Sequence, residues 1–458
     1  MYRWAGIFLA GFCGVGCQAT SKIEPLPQDE LIRAYFNHRQ TDRTYKEPYR
    51  QLERSGDNLE AVIIEAISQA QISIDLAVQE LNLPGVARAL AAKQQEGVRV
   101  RIILDNNYSR SWATLSSPEV SALKPRDRQK YQQYISFVDL NRDGHLSAAE
   151  INRRDALKIL QQAGVEVIDD TADGSRGSGL MHHKFMVIDR QILVLGSANF
   201  TWSGLFGDPD NLATRGNINH LLRIDQPQVA SLFGEEFDYM WSNTALGSKS
   251  QFGLAKPWRE PQSVKWQNTE VVVQFAPTSN RRDWNLTTNG LIGREIEAAT
   301  ESIDIALFVF SEQELADRLQ RQFQQGIKIK AVFDRSFAYR YYSELLDLLG
   351  VFALNQCKPE ANNNPWVNPL NTAGSMPTNY GDKLHHKFTI IDQETVISGS
   401  QNWSAAANNR NDEAVIIIRN ATVVKHFDRE FLRLFKDAEL GVDSRLKSQL
   451  EKQQVICK

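Results

Sequence analysis

The chain has 458 residues and a formal net charge of −3, with 42% apolar and 23% charged residues. That length exceeds what one hydrophobic core usually organises, so two or three domains are expected, and the composition excludes a disordered or fibrous chain. The slightly acidic balance excludes a global basic field for gathering nucleic acid, while leaving a single cleft free to be locally positive.

The N-terminus, MYRWAGIFLAGFCGVGCQAT, carries Arg3 and then an uncharged run of apolar and small residues to Cys17. The run is too short to span a bilayer in the usual way, and it reads as a secretion signal over residues 1–17. Its end, GVGC, resembles a bacterial lipoprotein cleavage box with Cys17 as the lipidated residue, although Gly14 stands where a branched aliphatic is usual. The expectation is an exported protein of the cell envelope, periplasmic or secreted, with membrane association through Cys17. Beyond the signal only Cys357 and Cys457 remain, and an oxidising compartment would let them pair.

The body of the chain is written twice. QISIDLAVQEL, from Gln71, resembles ESIDIALFVFS, from Glu301. Each is preceded by an amphipathic helix (NLEAVIIEAISQA, NGLIGREIEAAT) and followed by another (VARALAAKQQEG, ELADRLQRQFQQG). Each then enters a second apolar strand, VRVRIILD ending at Asp105 and IKIKAVFD ending at Asp334, in unbroken register. A second repeat pair is sharper: GLMHHKFMVIDRQILVLGSANF matches DKLHHKFTIIDQETVISGSQNW. Strands alternating with helices predict two tandem α/β domains with mixed, mostly parallel sheets flanked by helices, related by a pseudo-two-fold. The first is expected over 47–245 and the second over 268–440, with a linker at 246–267 and a tail at 441–458. The Asn-, Pro- and Gly-rich stretch before the second histidine motif is expected to rim a site.

The first half is longer than the second between its second strand and its histidines, and the extra residues, about 116–163, have their own pattern. DLNRDGHLSAAE fits the twelve-residue calcium loop of an EF-hand. Asp139, Asn141 and Asp143 take positions 1, 3 and 5, Gly144 the sharp turn, and His145 offers its carbonyl at 7. Ser147 stands at 9, acting through water, and Glu150 closes the shell bidentately at 12. RDRQKYQQYISFV and INRRDALKILQQAG are the expected flanking helices. A lone hand in an exported protein is expected to hold Ca2+ structurally.

Side chains alternate across a strand, so His182 and Lys184 share one face and His183 the other. Ser197 and Asn199 of GSAN share a face as well. The second half repeats this with His385, Lys387, Ser400 and Asn402. Two such faces meeting across a pseudo-two-fold bring two imidazoles and two ammonium groups to one point. Two ammonium groups would repel a metal cation but suit an anion, most simply a phosphodiester. One imidazole can attack phosphorus while the other protonates the leaving oxygen, and the lysine and amide groups can hold the phosphoryl oxygens.

HHKFMVID with GSAN, and HHKFTIID with GSQN, match in full the H-x-K-x4-D-x6-G-S-x-N signature of the phospholipase D superfamily, and the resemblance covers roughly residues 50–440. It implies a phosphohistidine intermediate and no cofactor in the chemical step. By resemblance His182 is the nucleophile and His385 the general acid. Lys184, Lys387, Asn199 and Asn402 clamp the phosphate, supported by Ser197 and Ser400. Asp189 and Asp392 complete the motifs and, at the ends of apolar strands, are expected to hold the scaffold. The superfamily also places an acidic or amide residue after each motif to orient a histidine. Here that is Glu413 for His182, with Asn219, or less favourably His220, for His385; an amide there is a departure. Trp202 and Trp403 are open between flanking the cleft and filling the core.

The reading is a phosphodiesterase hydrolysing phospholipid headgroup esters. The alternative is an exported endonuclease of the same superfamily. Cardiolipin synthase-like transfer and a non-catalytic calcium-dependent envelope binding protein rank lower. The expected partner is the phospholipid or nucleic-acid substrate, and no obligate protein partner is visible.

Overall fold

The computed structural model describes residues 23–241, 249–352, 354–360 and 362–457. The signal and Cys17 lie outside the described residues. Two sheets carry the fold. The first comprises β1 (Ile32–Phe36), β2 (Ser73–Val78), β3 (Arg99–Leu104), β4 (Glu166–Asp169), β5 (Lys184–Ile188), β6 (Ile192–Gly196) and β7 (His220–Ile224), in the order β1-β7-β6-β5-β2-β3-β4. The second comprises β8 (Gln262–Trp266), β9 (Thr269–Ala276), β10 (Ser302–Leu307), β11 (Lys328–Asp334), β12 (Ala373–Met376), β13 (Lys387–Ile391), β14 (Thr395–Gly399), β15 (Glu413–Arg419) and β16 (Glu439–Leu440). Its order, β8-β9-β15-β14-β13-β10-β11-β12-β16, repeats the first with β5 answered by β13.

The two-domain α/β architecture is as expected, but the sheets are not mostly parallel. Among the described residues of these two sheets, only β2/β3/β4 and β10/β11/β12 run parallel. The helix-connected units impose that, whereas the histidine strand and its neighbour are joined too tightly for a crossover. Asp189 and Arg190 in one half, and Asp392 and Gln393 in the other, take positive φ in three-residue hairpins that force antiparallel return.

The expected boundaries shift as well. β1 pairs along its length with β7, so the first domain begins before residue 47. The expected linker contains β8, which pairs with β9. The expected tail contains a helix, Ser444–Ile456, with Leu446 fully buried and Cys457 bonded to Cys357. These edge elements are short or charged, and only their tertiary partners reveal them.

Three apolar clusters organise the layers. The largest lies between the halves, where α6 (Pro227–Met240) and α9 (Ala421–Asp437) bring Phe233, Phe237, Phe427 and Phe431 against Phe185 and Phe388 of the histidine strands. The second packs α1 (Leu59–Ser68), α2 (Pro84–Gln95) and the insertion helices on the outer face of the first sheet. The third packs α7 (Thr288–Glu297) and α8 (Gln313–Gln324) on the second. In the insertion, α3 (Pro125–Val138) precedes the acidic loop, and the expected single exiting helix is two, α4 (Ala148–Arg154) and α5 (Ala156–Gln162). Asp155 breaks it, capping α5 through Lys158 N and accepting from Tyr134 Oη at 2.7 Å. A continuous shared core places the outer ends of β5 and β13 against each other at the seam.

Candidate active site

Each histidine motif enters the seam held from both sides. Met181 N donates to Asp105 Oδ2 at 3.0 Å, and Leu384 N to Asp334 Oδ2 at 2.9 Å. His182 N donates to Asp412 O and His385 N to Ile218 O, both at 3.0 Å, so each motif pairs with backbone of the opposite half. Buried Lys256, in the connecting segment, ties Glu236 of the first half to Asp412 of the second. Asp105 and Asp334 were visible in the sequence as matching strand ends, and their role here is to aim the histidines.

The alternation holds. Lys184 Nζ donates back to His182 O at 2.8 Å and Lys387 Nζ to His385 O at 2.9 Å, so each ammonium sits below its own imidazole. His183 and His386 point the other way, onto Glu236 at 2.9 Å and Glu430 at 3.0 Å of the inner helices. The orienting residues reach the predicted rings. Glu413 accepts from His182 Nδ1 at 2.8 Å, and Asn219 Oδ1 accepts from His385 Nδ1 at 3.0 Å.

The serines do not line the phosphate position as expected. Ser400 Oγ donates to Glu413 Oε2 at 2.6 Å and Ser197 Oγ to Asn219 Oδ1 at 2.8 Å. Both hydroxyls therefore hold the orienting residues. Asn199 Nδ2 donates to Gln79 Oε1 at 3.2 Å, and the Oδ1 atoms of Asn199 and Asn402 are buried without a partner among the described residues. Asp189 and Asp392 sit at the far ends of their strands. Asp189 accepts from the amides of Gln71, Ile72 and Ser73, and Asp392 from those of Thr300, Glu301 and Ser302. They belong to the scaffold. Trp202 packs on Phe137 at 4.5 Å and Trp403 on Phe310 at 5.4 Å, which places both in the core.

The electrostatics show how closely the four groups converge. Burial lowers His182 and His385 well below the ordinary imidazole range. Next in weight, Lys184 and Lys387 push both rings down further, each ring feeling both ammonium groups. Burial brings Lys184 to about 7 and lowers Lys387 strongly. Burial raises Glu413 to about 7, against the pull of Lys184. Two imidazoles and two amines thus converge in a buried site, a donor set that suits an anion.

Residues 63–241 and 292–435 match the family described as "Cardiolipin synthase, PLD-like domain". The chain belongs to this PLD-like family. The mitochondrial cardiolipin hydrolases of Mus musculus and Homo sapiens are similar to it. The mouse protein is 28% identical over 146 residues, 31% of this chain and 56% of that protein. The human protein is 30% identical over 145 residues, 31% and 49% respectively. The match thus spans about half the length of these relatives. The fold resembles that of phosphatidylserine synthase from Haemophilus influenzae, with a TM-score of 0.55 at 12% identity over 94% of this chain and 92% of that one.

In this PLD-like chain the acidic loop stands apart from the two-histidine site. Asp139 Oδ2 accepts from Gly144 N at 2.9 Å, Asn141 Oδ1 from Asp143 N at 3.0 Å, and Asp143 Oδ1 from His145 N at 2.8 Å. Gly144 has φ +81°, the turn that position requires. Glu150 is turned onto the amides of Leu140, Asn141 and Ser147. Among the described residues no three His, Cys, Asp or Glu side chains are gathered as a metal site. The donor set is nevertheless all hard oxygen, and Asp139 Oδ1 is buried without a partner, so the residues fit Ca2+.

Two contributors were missed from the sequence. Gln79 accepts from Lys184 and Asn199 in the first half. Its repeat-equivalent in the second half, Phe308, lies 4.6 Å from the His385 ring with Lys387 over its face at 5.0 Å. Aligning SIDLAVQ with SIDIALF would have exposed this pair, since the strand repeats match in character up to that position and part there.

Proposed function

We propose that the chain is a phospholipase D-type phosphodiesterase that hydrolyses phospholipid headgroup esters through a phosphohistidine on His182. The observation that carries this is the unequal orientation of the two imidazoles: a carboxylate on His182, a neutral amide on His385. Glu413 fixes the His182 tautomer with Nε2 free and stabilises the imidazolium that forms as Nε2 attacks phosphorus, which suits the nucleophile. His385 then protonates the departing alkoxide, and in the second step it takes a proton from water as that water displaces His182.

Burial and the lysines keep both rings neutral in the empty site, as an attacking Nε2 requires. A bound diester anion offsets the two ammonium charges and restores the proton that His385 must deliver. Lys184, Lys387, Asn199 and Asn402 surround the phosphoryl oxygens and stabilise the charge that builds there. A lipid substrate is supported by the cardiolipin hydrolases among the relatives and by the aromatic wall of Phe308 and Phe337 beside His385. It is also supported by a net charge of −3, which gives no long-range attraction for a polyanion.

Export with a lipid anchor on Cys17 belongs to the same proposal, since it would hold the cleft near its substrate. So does Ca2+ at Asp139, Asn141, Asp143, the His145 carbonyl, Ser147 and Glu150, where the ion would neutralise the loop and brace the insertion without taking part in the reaction. The test is purified protein on phosphatidylcholine and cardiolipin vesicles and on plasmid DNA, with His182→Ala as control. Headgroup release that vanishes in the variant is expected; His182-dependent plasmid cleavage without lipid turnover would replace this reading with the nuclease.

A further inference from the structure

Behind Asn219 lies a buried imidazole pair that the mechanism above does not use. His220 Nδ1 is 2.9 Å from His386 Nδ1, and His220 Nε2 is 2.7 Å from Ser398 Oγ. Both rings are fully buried. The direction of each bond follows from one fixed end. Glu430, clamped by Arg433, accepts from His386 Nε2–H at 3.0 Å, so in neutral His386 the Nδ1 atom carries only a lone pair. His220 must then donate from Nδ1, and its Nε2 accepts from Ser398. The same Nδ1–H lies 3.3 Å from Ser197 Oγ, and His220 N donates to that oxygen at 3.1 Å. With its lone pairs facing two donors, the Ser197 hydroxyl proton is left pointing at Asn219 Oδ1.

The other half shows what this is for. Ala414 occupies the place of His220, and its N donates to Ser400 Oγ at 3.0 Å in the same way. No imidazole is needed there, because the Glu413 carboxylate alone compels Ser400 to donate. His183, the counterpart of His386, has no partner for Nδ1 among the described residues. A neutral amide has no such compulsion: its acceptor is weaker, and the serine proton has other directions to take. The extra imidazole stands on the side that lacks the carboxylate.

We propose that His220 is a positioning residue for proton delivery to the leaving group: Asn219 Nδ2 donates to Gly204 O at 2.9 Å and to Asn217 O at 3.3 Å, and His220 locks the Ser197 proton onto the opposite end of that amide, so that Asn219 Oδ1 is held against His385 Nδ1–H. This rests on His385 being the general acid. His386 and Glu430 act one step further back, fixing the His220 tautomer.

The leaving group provides the readout. A p-nitrophenolate departs without a proton, whereas an alkoxide needs one. Phosphatidylglycerol and phosphatidyl-p-nitrophenol share everything but that group, as do thymidylyl-thymidine and thymidine 5′-p-nitrophenyl phosphate if nucleotide esters are the better substrates. His220→Ala, which installs what the second half carries natively, is expected to slow leaving-group release within the first turnover by roughly 10- to 100-fold on the alkyl ester, and by less than about threefold on the nitrophenyl ester. His220→Asn, whose amide nitrogen stands where Nδ1 stood, is expected to recover most of the loss, and His220→Gln is not. Equal losses on both esters, or equal behaviour of the Asn and Gln variants, would overturn the proposal, and the Asn–Gln comparison serves alone if the Ala variant does not fold. His385→Ala on the same pair tests the underlying reading: if its loss in leaving-group release within the first turnover, before His385 acts as base toward water, is not confined to the alkyl ester, the general-acid assignment fails instead.

Discussion

The two halves share a fold, a motif and a register, yet they differ at each position that decides what an imidazole does. On the first histidine stands a carboxylate, held by Ser400 and Asn411, with Gln79 beside the neighbouring lysine. On the second stands an amide, backed by His220 and His386, with the Phe308 ring against the imidazole. The repeat supplies two equal rings, and in the proposed mechanism the residues behind them make one a nucleophile and the other an acid. A pseudo-symmetric site can run an asymmetric reaction only if such differences exist, and here they are confined to side chains that the repeat does not constrain.

The largest expected effect comes from erasing that difference. Glu413→Gln keeps an acceptor near His182 Nδ1 but removes the charge that stabilises the imidazolium, and kcat should fall by about 10²- to 10⁴-fold. Asn219→Ala keeps the charge pattern and loosens only His385, so its loss in the p-nitrophenolate burst, which precedes the step where His385 acts as base, should stay below about tenfold. Burst rates on that one substrate compare the two. Equal losses would mean that the halves are functionally interchangeable and the assigned roles wrong.

A smaller effect, tenfold per pH unit, concerns the shared part of the site. Burial brings Lys184 from its ordinary value to about 7, and an anion in the cleft raises it again. The bound state therefore holds a proton that the free state releases above pH 7. Affinity for a monoanionic phosphonate ester, whose own charge is constant between about pH 5 and 9, should fall with pH below 7 only through proton uptake at His385 and Lys387. Above pH 7, Lys184 should add roughly tenfold per unit until its raised pKa in the complex is passed. Calorimetric titration from pH 6 to 9 measures this, and Lys184→Arg, which stays charged, should flatten the slope. An unchanged slope in that variant would move the titration to another group.

Much of this was legible in the sequence because it is local. H-x-K alternation fixes which side chains share a face, and the matched separations of Asp75 from Asp304 and Asp105 from Asp334 reveal two halves. What stayed hidden depends on partners far along the chain. The Ser197 and Ser400 hydroxyls looked free for phosphate, and only the structure shows them engaged by Asn219 and Glu413. His220 stands in the sequence only as the less favoured alternative to Asn219, because its partners His386 and Ser398 belong to the other half. The strands β1 and β8 are invisible to periodicity, being edge strands whose alternation is short or polar.

The smallest effect separates the halves in another way, through the insertion that only the first carries. Its helices are tied to the outer core by Tyr134, Ser111 and Asp155, and α3 reaches toward the cleft through Lys130, 3.7 Å from Glu80. Asn141–His145 of the acidic loop is exposed, and among the described residues the loop's side-chain hydrogen bonds stay within it. If Ca2+ binds there, adding it to chelated protein should raise Tm by about 2–6 °C at ion concentrations well above Kd. Asp139→Ala should abolish that shift, since its buried Oδ1 is the donor left without a partner. Turnover of a nitrophenyl ester should change by less than about twofold in either condition, because the phosphate is held by groups anchored in the two sheets. A chelator that instead stopped turnover at once, at a temperature where the fold persists, would mean that the insertion controls the geometry of Lys184 through Glu80. The contrast between the halves would then lie in regulation as well as in chemistry.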